Sequence, residues 1–441
     1  MKTGLISLGC AKNLIDSELI AGMLEKHGHK VTLDCSDAPV VVINTCSFIH
    51  DAEKESVHEI IEMINAGKKI IVTGCLAQKY KDELKELLPE VTAFVGTADF
   101  KEIPSIVDHI EKNMKNKRTS PYCKVSENPA YDYPEDVERR QITMGASSYL
   151  KIADGCDCEC GYCVIPKLKG KYVSRKIEDI LSEAKMLADR GVSEIILIAQ
   201  DTTSYGKDLY GELSLAKLLR ELEKIPNLMR LRIMYTYPSG ITDELLQTMT
   251  ESKKIIPYID IPLQHSSPNV LKLMRRPAFD YEKLIEKIRK TVPGVALRTT
   301  FIVGYPGETE EDFEHLKNFI QKMKFDRLGV FEYSREKGTY SDTLPGHLSY
   351  KEKRRRKSEL MKIQREISKE LNKELVGKNI ECVVETVFDD GKIIARTYKD
   401  APEVDCIIKL RADDELPAPG DIVVAKVTRA GVYDLSGKIV G

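Results

Sequence analysis

No stretch of the chain approaches the ~18 consecutive apolar residues that a membrane span needs, so a transmembrane helix is excluded. Neither charge is in excess. Lys and Arg number 67, Asp and Glu 69, and the formal net charge is −2, so attraction to nucleic acid or anionic lipid requires a local patch. A complete disulfide framework is also missing, because eleven cysteines cannot all pair and a cytoplasmic chain keeps them reduced. Leu5-Ile6-Ser7-Leu8-Gly9-Cys10 looks superficially like a lipoprotein cleavage box. Only nine residues precede that cysteine, too few for a charged start and an apolar core of roughly 7–15 residues. These absences predict a cytoplasmic protein with no membrane contact.

What is present is substantial. At about 100–200 residues per domain, 441 residues suggest two to four domains, and apolar periodicity along nearly the whole chain excludes disorder. Gly4–Leu8, Val40–Ile43, Lys69–Val72 and Phe94-Val95 read as buried parallel strands. Helical patterns lie near Leu14–His27, Ala52–Ala66, Gln78–Leu87 and Phe100–Met114. A Pro-containing, weakly periodic stretch follows from Pro121 to Ser148. A second alternating array has strands expected at Leu150–Ile152, Ile195–Ile198, Arg230–Met234, Tyr258–Ile261, Ala296–Val303 and Leu328–Glu332, which suits a complete or partial parallel barrel. Lys351–Glu374 reads as one long helix. Its Lys353-Arg354-Arg355-Arg356-Lys357 run is either a solvated face or an RNA contact. The rest turns to β: Ile380–Val387 and Lys392–Tyr398 flank an Asp389-Asp390-Gly391 turn, and Val404–Leu410 and Ile422–Thr428 follow. The expected class is therefore α/β: a parallel α/β domain over residues 1–116, a linker at 117–141, an α/β barrel core ending in the long helix at 142–374, and a small all-β barrel at 375–441.

The cysteines carry the chemistry. Cys156, Cys160 and Cys163 form a Cys-x3-Cys-x2-Cys run in a Gly-containing loop just after a strand. Three thiolates this close wrap a soft metal centre and leave one iron of a four-iron cluster open, whereas structural zinc closes with a fourth ligand and no histidine lies in the loop. Cys158 interrupts the run and permits another ligand register, although the 156/160/163 spacing fits better. Cys10, Cys46 and Cys75 each lie just beyond a predicted strand, and carboxyl-end loops of a parallel sheet converge along one edge. They suit a second three-thiolate centre, or simply small buried cysteines that pack there. Cys35, Cys123, Cys382 and Cys406 lack such placement.

Gly155-Cys156, with Cys160-Gly161-Tyr162-Cys163-Val164-Ile165-Pro166, resembles the cluster loop of radical S-adenosylmethionine (SAM) enzymes. Leu8-Gly9-Cys10-Ala11-Lys12-Asn13, Asp16-Ser17-Glu18, Asn44-Thr45-Cys46 and Gly74-Cys75-Leu76-Ala77-Gln78 resemble the methylthiotransferase family within that superfamily, and the final β domain is similar to its TRAM domain. The resemblance implies two 4Fe–4S clusters, on Cys156/Cys160/Cys163 and on Cys10/Cys46/Cys75, with SAM as both radical source and methyl donor. It implies replacement of C–H by C–S–CH3, which needs a cofactor because side chains cannot perform the homolysis. A reductant such as flavodoxin or ferredoxin and a sulfur source are implied partners. Tyr162, Gln200 and Arg298 are the candidate SAM contacts. A capped strand end and a surface cation are the plainer readings of the last two. No general acid or base is assigned. Gly304-Tyr305-Pro306-Gly307-Glu308-Thr309 is either a capped turn or part of the SAM frame, and His265 reads as structural.

The family acts on a tRNA adenosine or on a ribosomal-protein side chain. Ala199-Gln200-Asp201-Thr202-Thr203-Ser204-Tyr205-Gly206, Cys10-Ala11-Lys12-Asn13 and Ala401-Pro402-Glu403-Val404-Asp405 resemble the protein-directed branch, whose implied substrate is an aspartate β-carbon of small-subunit ribosomal protein S-twelve. Charge agrees. Residues 375–441 hold nine basic and twelve acidic residues, a net −3 that repels phosphate and attracts a basic protein, so nucleic acid is not required.

Overall fold

The computed structural model describes residues 1–113, 121–134, 136–143, 145–277, 279–412 and 415–440. The division expected between residues 116 and 117, and the helix end expected at Met114, lie outside them. The chain forms two compact units. One comprises Met1–Met144, Ala153–Cys158 and Val164–Arg175; the other comprises Gly145–Ile152, Glu159–Cys163 and Lys176–Gly441.

In the first unit the chain runs β1 (Lys2–Ser7), α1 (Ala11–Lys26), β2 (Lys30–Thr32), β3 (Val40–Thr45), α2 (His50–Asn65), β4 (Lys69–Gly74), α3 (Cys75–Leu87), β5 (Ala93–Val95), α4 (Ile103–Lys112) and β6 (Tyr122–Lys124). The strands make one parallel sheet ordered β2-β1-β3-β4-β5-β6. Val40–Ile43 and Ile70–Val72 are wholly buried, as near-continuous apolar strands covered on both faces should be. Two strands of this sheet escape sequence reading. β2 is three residues long, and β6 lies in the stretch expected to be linker. That stretch is instead built into this unit: β6 pairs with β5, and Arg139 is buried against Glu18 at 2.9 Å. An exposed three-residue strand offers no alternation to read, and a single buried arginine gives no periodicity.

After β7 (Ser147–Lys151), a ribbon of β8 (Ala153–Asp154) and β9 (Val173–Ser174), with α5 (Ile165–Lys169) between them, belongs to the first unit. The second unit continues through α6 (Ile177–Asp189), β10 (Glu194–Ile198), α7 (Lys207–Tyr210), α8 (Leu215–Glu223), β11 (Arg230–Ile233), α9 (Asp243–Glu251), β12 (Ile255–Asp260), α10 (Pro268–Leu273), α11 (Tyr281–Thr291), β13 (Ala296–Val303), α12 (Glu310–Met323) and β14 (Arg327–Glu332). Its strands form an open parallel sheet, β14-β13-β12-β11-β10-β7, so the barrel is partial. Then α13 (Tyr350–Lys373) leads to β15 (Asn379–Val387), β16 (Lys392–Thr397), β17 (Ile408–Arg411), β18 (Ile422–Ala430) and β19 (Leu435–Ile439), a closed five-stranded barrel around Cys382, Val384, Ile393, Ile408 and Ala425.

Ion pairs lock this barrel under the sheet, near its strand amino ends. Glu194 lies between Arg232 (2.6 Å) and Arg396 (3.1 Å), Arg327 pairs with Asp400 at 2.7 Å, and Arg298 reaches Asp405 at 3.3 Å. Ala401–Asp405, part of the motif shared with the protein-directed branch, therefore serves internal docking: Asp405 also accepts from Tyr258 Oη at 2.7 Å. The carboxyl ends of the sheet strands are left for chemistry. On α13, Arg355 and Arg356 are engaged by Glu310, Glu352, Glu359 and Glu308, and Arg356 is buried, so this run is neither a wholly solvated face nor an open RNA grip.

Candidate iron–sulfur and SAM site

β1, β3 and β4 are adjacent, and each is followed within three residues by a cysteine: Cys10, Cys46 and Cys75. Asn13, buried on the first turn of α1, ties their loops together. Its Nδ2 donates to Leu8 O (3.2 Å) and Thr45 O (3.0 Å), its carbonyl accepts from Asn44 Nδ2 (2.8 Å), and the Cys75 thiol faces its Oδ1 at 3.9 Å. Ser56 on α2 clamps both backbone groups of Cys46 at 3.0 Å. Two glycines are required by close approach as well as by positive φ. A Cβ on Gly9 (φ +92°) would lie 2.8 Å from Cys46 Sγ, and one on Gly74 (φ +91°) would lie 2.3 Å from Asn44 Oδ1.

The structure thus brings the three cysteines to one sheet edge, but not into a single-ion cage. Tetrahedral zinc at ~2.3 Å would draw its sulfurs to about 3.8 Å apart. Among the described residues, the one trio of such ligand atoms lying within 4.8 Å of one another is His29, Asp108 and Glu111. Thiolates of a four-iron cluster sit on separate irons and need not stand that close, and three thiols on one edge are the donor type such a cluster takes. Burial pushes the Cys75 thiol up to about 12, opposed by Lys169, and raises Cys46 as well. Metal loading must therefore displace held protons. Lys169 itself is buried between Asp16 (2.9 Å) and Asp154 (3.6 Å). Sequence reading missed it, because Lys167-Leu168-Lys169-Gly170-Lys171 looks like surface lysines.

The Cys-x3-Cys-x2-Cys loop is held in parts. In the first unit Cys156 N–H donates to Gly170 O (3.1 Å), and Cys158 gives its N–H to Cys156 Sγ (3.4 Å), an amide placed to stabilise a thiolate. In the second unit Cys163 N–H donates to Cys160 O (3.0 Å). Gly161 N–H donates to Met274 O (2.8 Å), and Gly161 O accepts from Ser341 N–H (2.7 Å). The Tyr162 ring packs edge-on against Tyr305 (6.4 Å), and its hydroxyl lies 3.5 Å from Arg276 Nη1. That same nitrogen is 3.7 Å from Cys160 Sγ. Burial opposes a charge on Arg276, yet Tyr162 and Cys160 hold it above the ordinary arginine range. Its Nε has no hydrogen-bond partner among the described residues, so the pocket suits an acceptor that these residues do not supply. Arg276 gave no sequence signal, lying more than a hundred residues from the loop.

Gln200 stands half-buried just beyond β10. Arg298 is placed otherwise than a SAM contact requires: its guanidinium is taken by Asp260 (2.8 Å) and Asp405 (3.3 Å). His265 is fully buried, with Nδ1 accepting from Ser267 N–H at 3.0 Å, a structural role. The Gly304–Thr309 turn is a capped helix start. Glu308 accepts from the amides of Gly304 and Tyr305, and Thr309 with Asp312 forms a capping box. Tyr235 (φ +60°) and Gln264 (φ +71°) hold left-handed backbone beyond the ends of β11 and β12, strain of the kind that clusters at functional edges.

Three family models match the chain: the uncharacterized protein family UPF0004 over residues 2–96, the radical SAM superfamily over 150–320, and the TRAM domain over 376–440. Among curated relatives, the ribosomal protein uS12 methylthiotransferase RimO of Caldanaerobacter subterraneus is 48% identical, covering 99% of each chain. Those of Clostridioides difficile (100% of this chain, 99% of the relative) and Prochlorococcus marinus (100% and 96%) are each 44% identical. The radical SAM methyltransferase TsrM from Kitasatospora setae, solved with cobalamin and a 4Fe–4S cluster, superposes with a TM-score of 0.54 at 15% identity over 75% of this chain and 72% of its own, which shows a shared fold. The cofactors are accordingly 4Fe–4S clusters and SAM. The chain belongs to the RimO family of radical SAM methylthiotransferases.

Proposed function

We propose that this protein replaces a β-carbon hydrogen of an aspartate on ribosomal protein uS12 with a methylthio group in the cytoplasm, consuming two SAM molecules and using two 4Fe–4S clusters. The observation that carries the reading is that the loops bearing Cys10, Cys46 and Cys75 are tied together by Asn13, in addition to the Cys156/Cys160/Cys163 loop. Cys156, Cys160 and Cys163 would hold the cluster whose open iron takes SAM; Cys10, Cys46 and Cys75 would hold a second, for sulfur delivery. When bound, these groups supply a 5′-deoxyadenosyl radical and the sulfur and methyl to be transferred.

The chain's own residues position and shield. The Cys158 amide and the Arg276 guanidinium face the Cys156 and Cys160 sulfurs, Tyr162 and Gln200 would contact SAM, and Arg298 is paired with Asp260. A reductant such as flavodoxin or ferredoxin and a sulfur source complete the reaction. The net −3 charge of residues 375–441 supports a basic protein substrate, as does the engagement of Arg355 and Arg356 by carboxylates. Incubating the anaerobically reconstituted enzyme with SAM, sulfide, dithionite and either uS12 or tRNA tests the reading by mass spectrometry. The expected result is gain of a methylthio group, less one hydrogen, on the uS12 aspartate. Gain on tRNA alone would overturn it.

A further inference from the structure

We propose that Arg276 is the built-in counter-charge of the radical-forming centre, a fixed cation beside the Cys160 sulfur that raises the reduction potential of the cluster there. This rests on Cys156, Cys160 and Cys163 being the ligands. Arg276 is 6% exposed, and no carboxylate pairs with it among the described residues. A buried guanidinium cannot shed its proton and is costly unless an anion accompanies it. Its polar neighbours include the Pro262 carbonyl (3.0 Å), the Tyr162 hydroxyl (3.5 Å), Cys160 Sγ (3.7 Å) and the Tyr281 hydroxyl, with the Tyr237 ring 4.4 Å beneath. Of these, only the sulfur carries negative charge when it ligates a cluster.

Other buried arginines of this unit differ: Arg230, Arg232, Arg327, Arg356 and Arg396 each face at least one carboxylate. The backbone also fixes Arg276 at some expense, since Arg275 is left-handed (φ +53°) and its guanidinium stacks 3.7 Å over Tyr340. A cluster gains negative charge on reduction. A fixed cation donating N–H to a ligand sulfur therefore favours the reduced form, and hydrogen bonds and net charge are what set such potentials.

The test isolates this centre in the Cys10→Ala/Cys46→Ala/Cys75→Ala background, reconstituted anaerobically and titrated with dithionite and mediators under EPR. Arg276→Met should lower the reduced-to-oxidised ratio at fixed potential about tenfold, ~59 mV for a one-electron couple. Arg276→Lys, keeping the charge, should recover more than half of that shift. An iron-loaded Arg276→Met centre at the parent's potential would overturn the role of Arg276. Should that variant fail to load iron, Arg276→Gln and Arg276→Lys decide, and equal potentials in those two would overturn it as well. A parent background without an EPR-active cluster would instead overturn the ligand assignment on which the role depends.

Discussion

Replacing Asn13 with alanine should loosen the three-cysteine edge more than any surface change nearby. The side chain donates to Thr45 O at 3.0 Å and Leu8 O at 3.2 Å, the first bond fully buried and the second partly. Alanine leaves both carbonyls without that donor, and an unsatisfied buried acceptor costs about 1–3 kcal/mol. A loss of about 2–3 kcal/mol is expected. With a denaturant slope of about 3 kcal/mol per molar urea for a chain this long, the apo-protein midpoint should fall by about 1 M. Asn13→Asp is the sharper variant, keeping the size but turning oxygens toward both carbonyls and placing an anion near Cys75, so it should lose more. The second assay is iron content after reconstitution of Cys156→Ala/Cys160→Ala/Cys163→Ala protein, where about four irons should fall to fewer than half in either Asn13 variant. An unchanged urea midpoint with full iron loading would refute the clamp.

Glu194, held down to about 2 by Arg232 and Arg396 despite its burial, contributes stability that is present above its ordinary value of 4.5 and is lost as pH falls from there toward 2. That contribution is about 3 kcal/mol, so thermal midpoints should drop across this window, and Glu194→Gln should flatten the drop while costing about 3–5 kcal/mol at neutral pH. Lys169→Met, removing the cation between Asp16 and Asp154, should destabilise the chain by a similar amount, and Lys169→Arg should recover part of it in calorimetry. Cys158→Ser should leave SAM cleavage intact, because serine keeps the backbone amide that donates to Cys156; loss of 5′-deoxyadenosine formation would mean the ligand register is wrong. Anaerobic iron and sulfide analysis should give about eight of each per chain, and a value near four would remove the second cluster.

Much of the architecture was legible because it is periodic. Apolar runs such as Val40–Ile43 and Ile195–Ile198 declare buried parallel strands, and the Asp-Gly turn at residues 390 and 391 announces the β15–β16 hairpin. Short or interrupted elements stayed hidden: β2 and β6 have three residues each, and Gly437 breaks the apolar pattern of β19. The six cysteines stood out by spacing and by position after strands. Arg298 invited a ligand-binding reading because its place on β13 was visible and its partners were not.

Local order, then, determined the sheet-forming segments and the Cys156–Cys163 spacing, since each depends on neighbours within a few residues. Only the tertiary structure decided which buried charges have carboxylate partners. It gave Arg298 to Asp260 and Asp405, stationed Lys169 between Asp16 and Asp154, and left Arg276 facing Cys160. Those pairings join residues tens to more than a hundred positions apart, and the energy of a buried charge depends on what surrounds it in space, which no local pattern records.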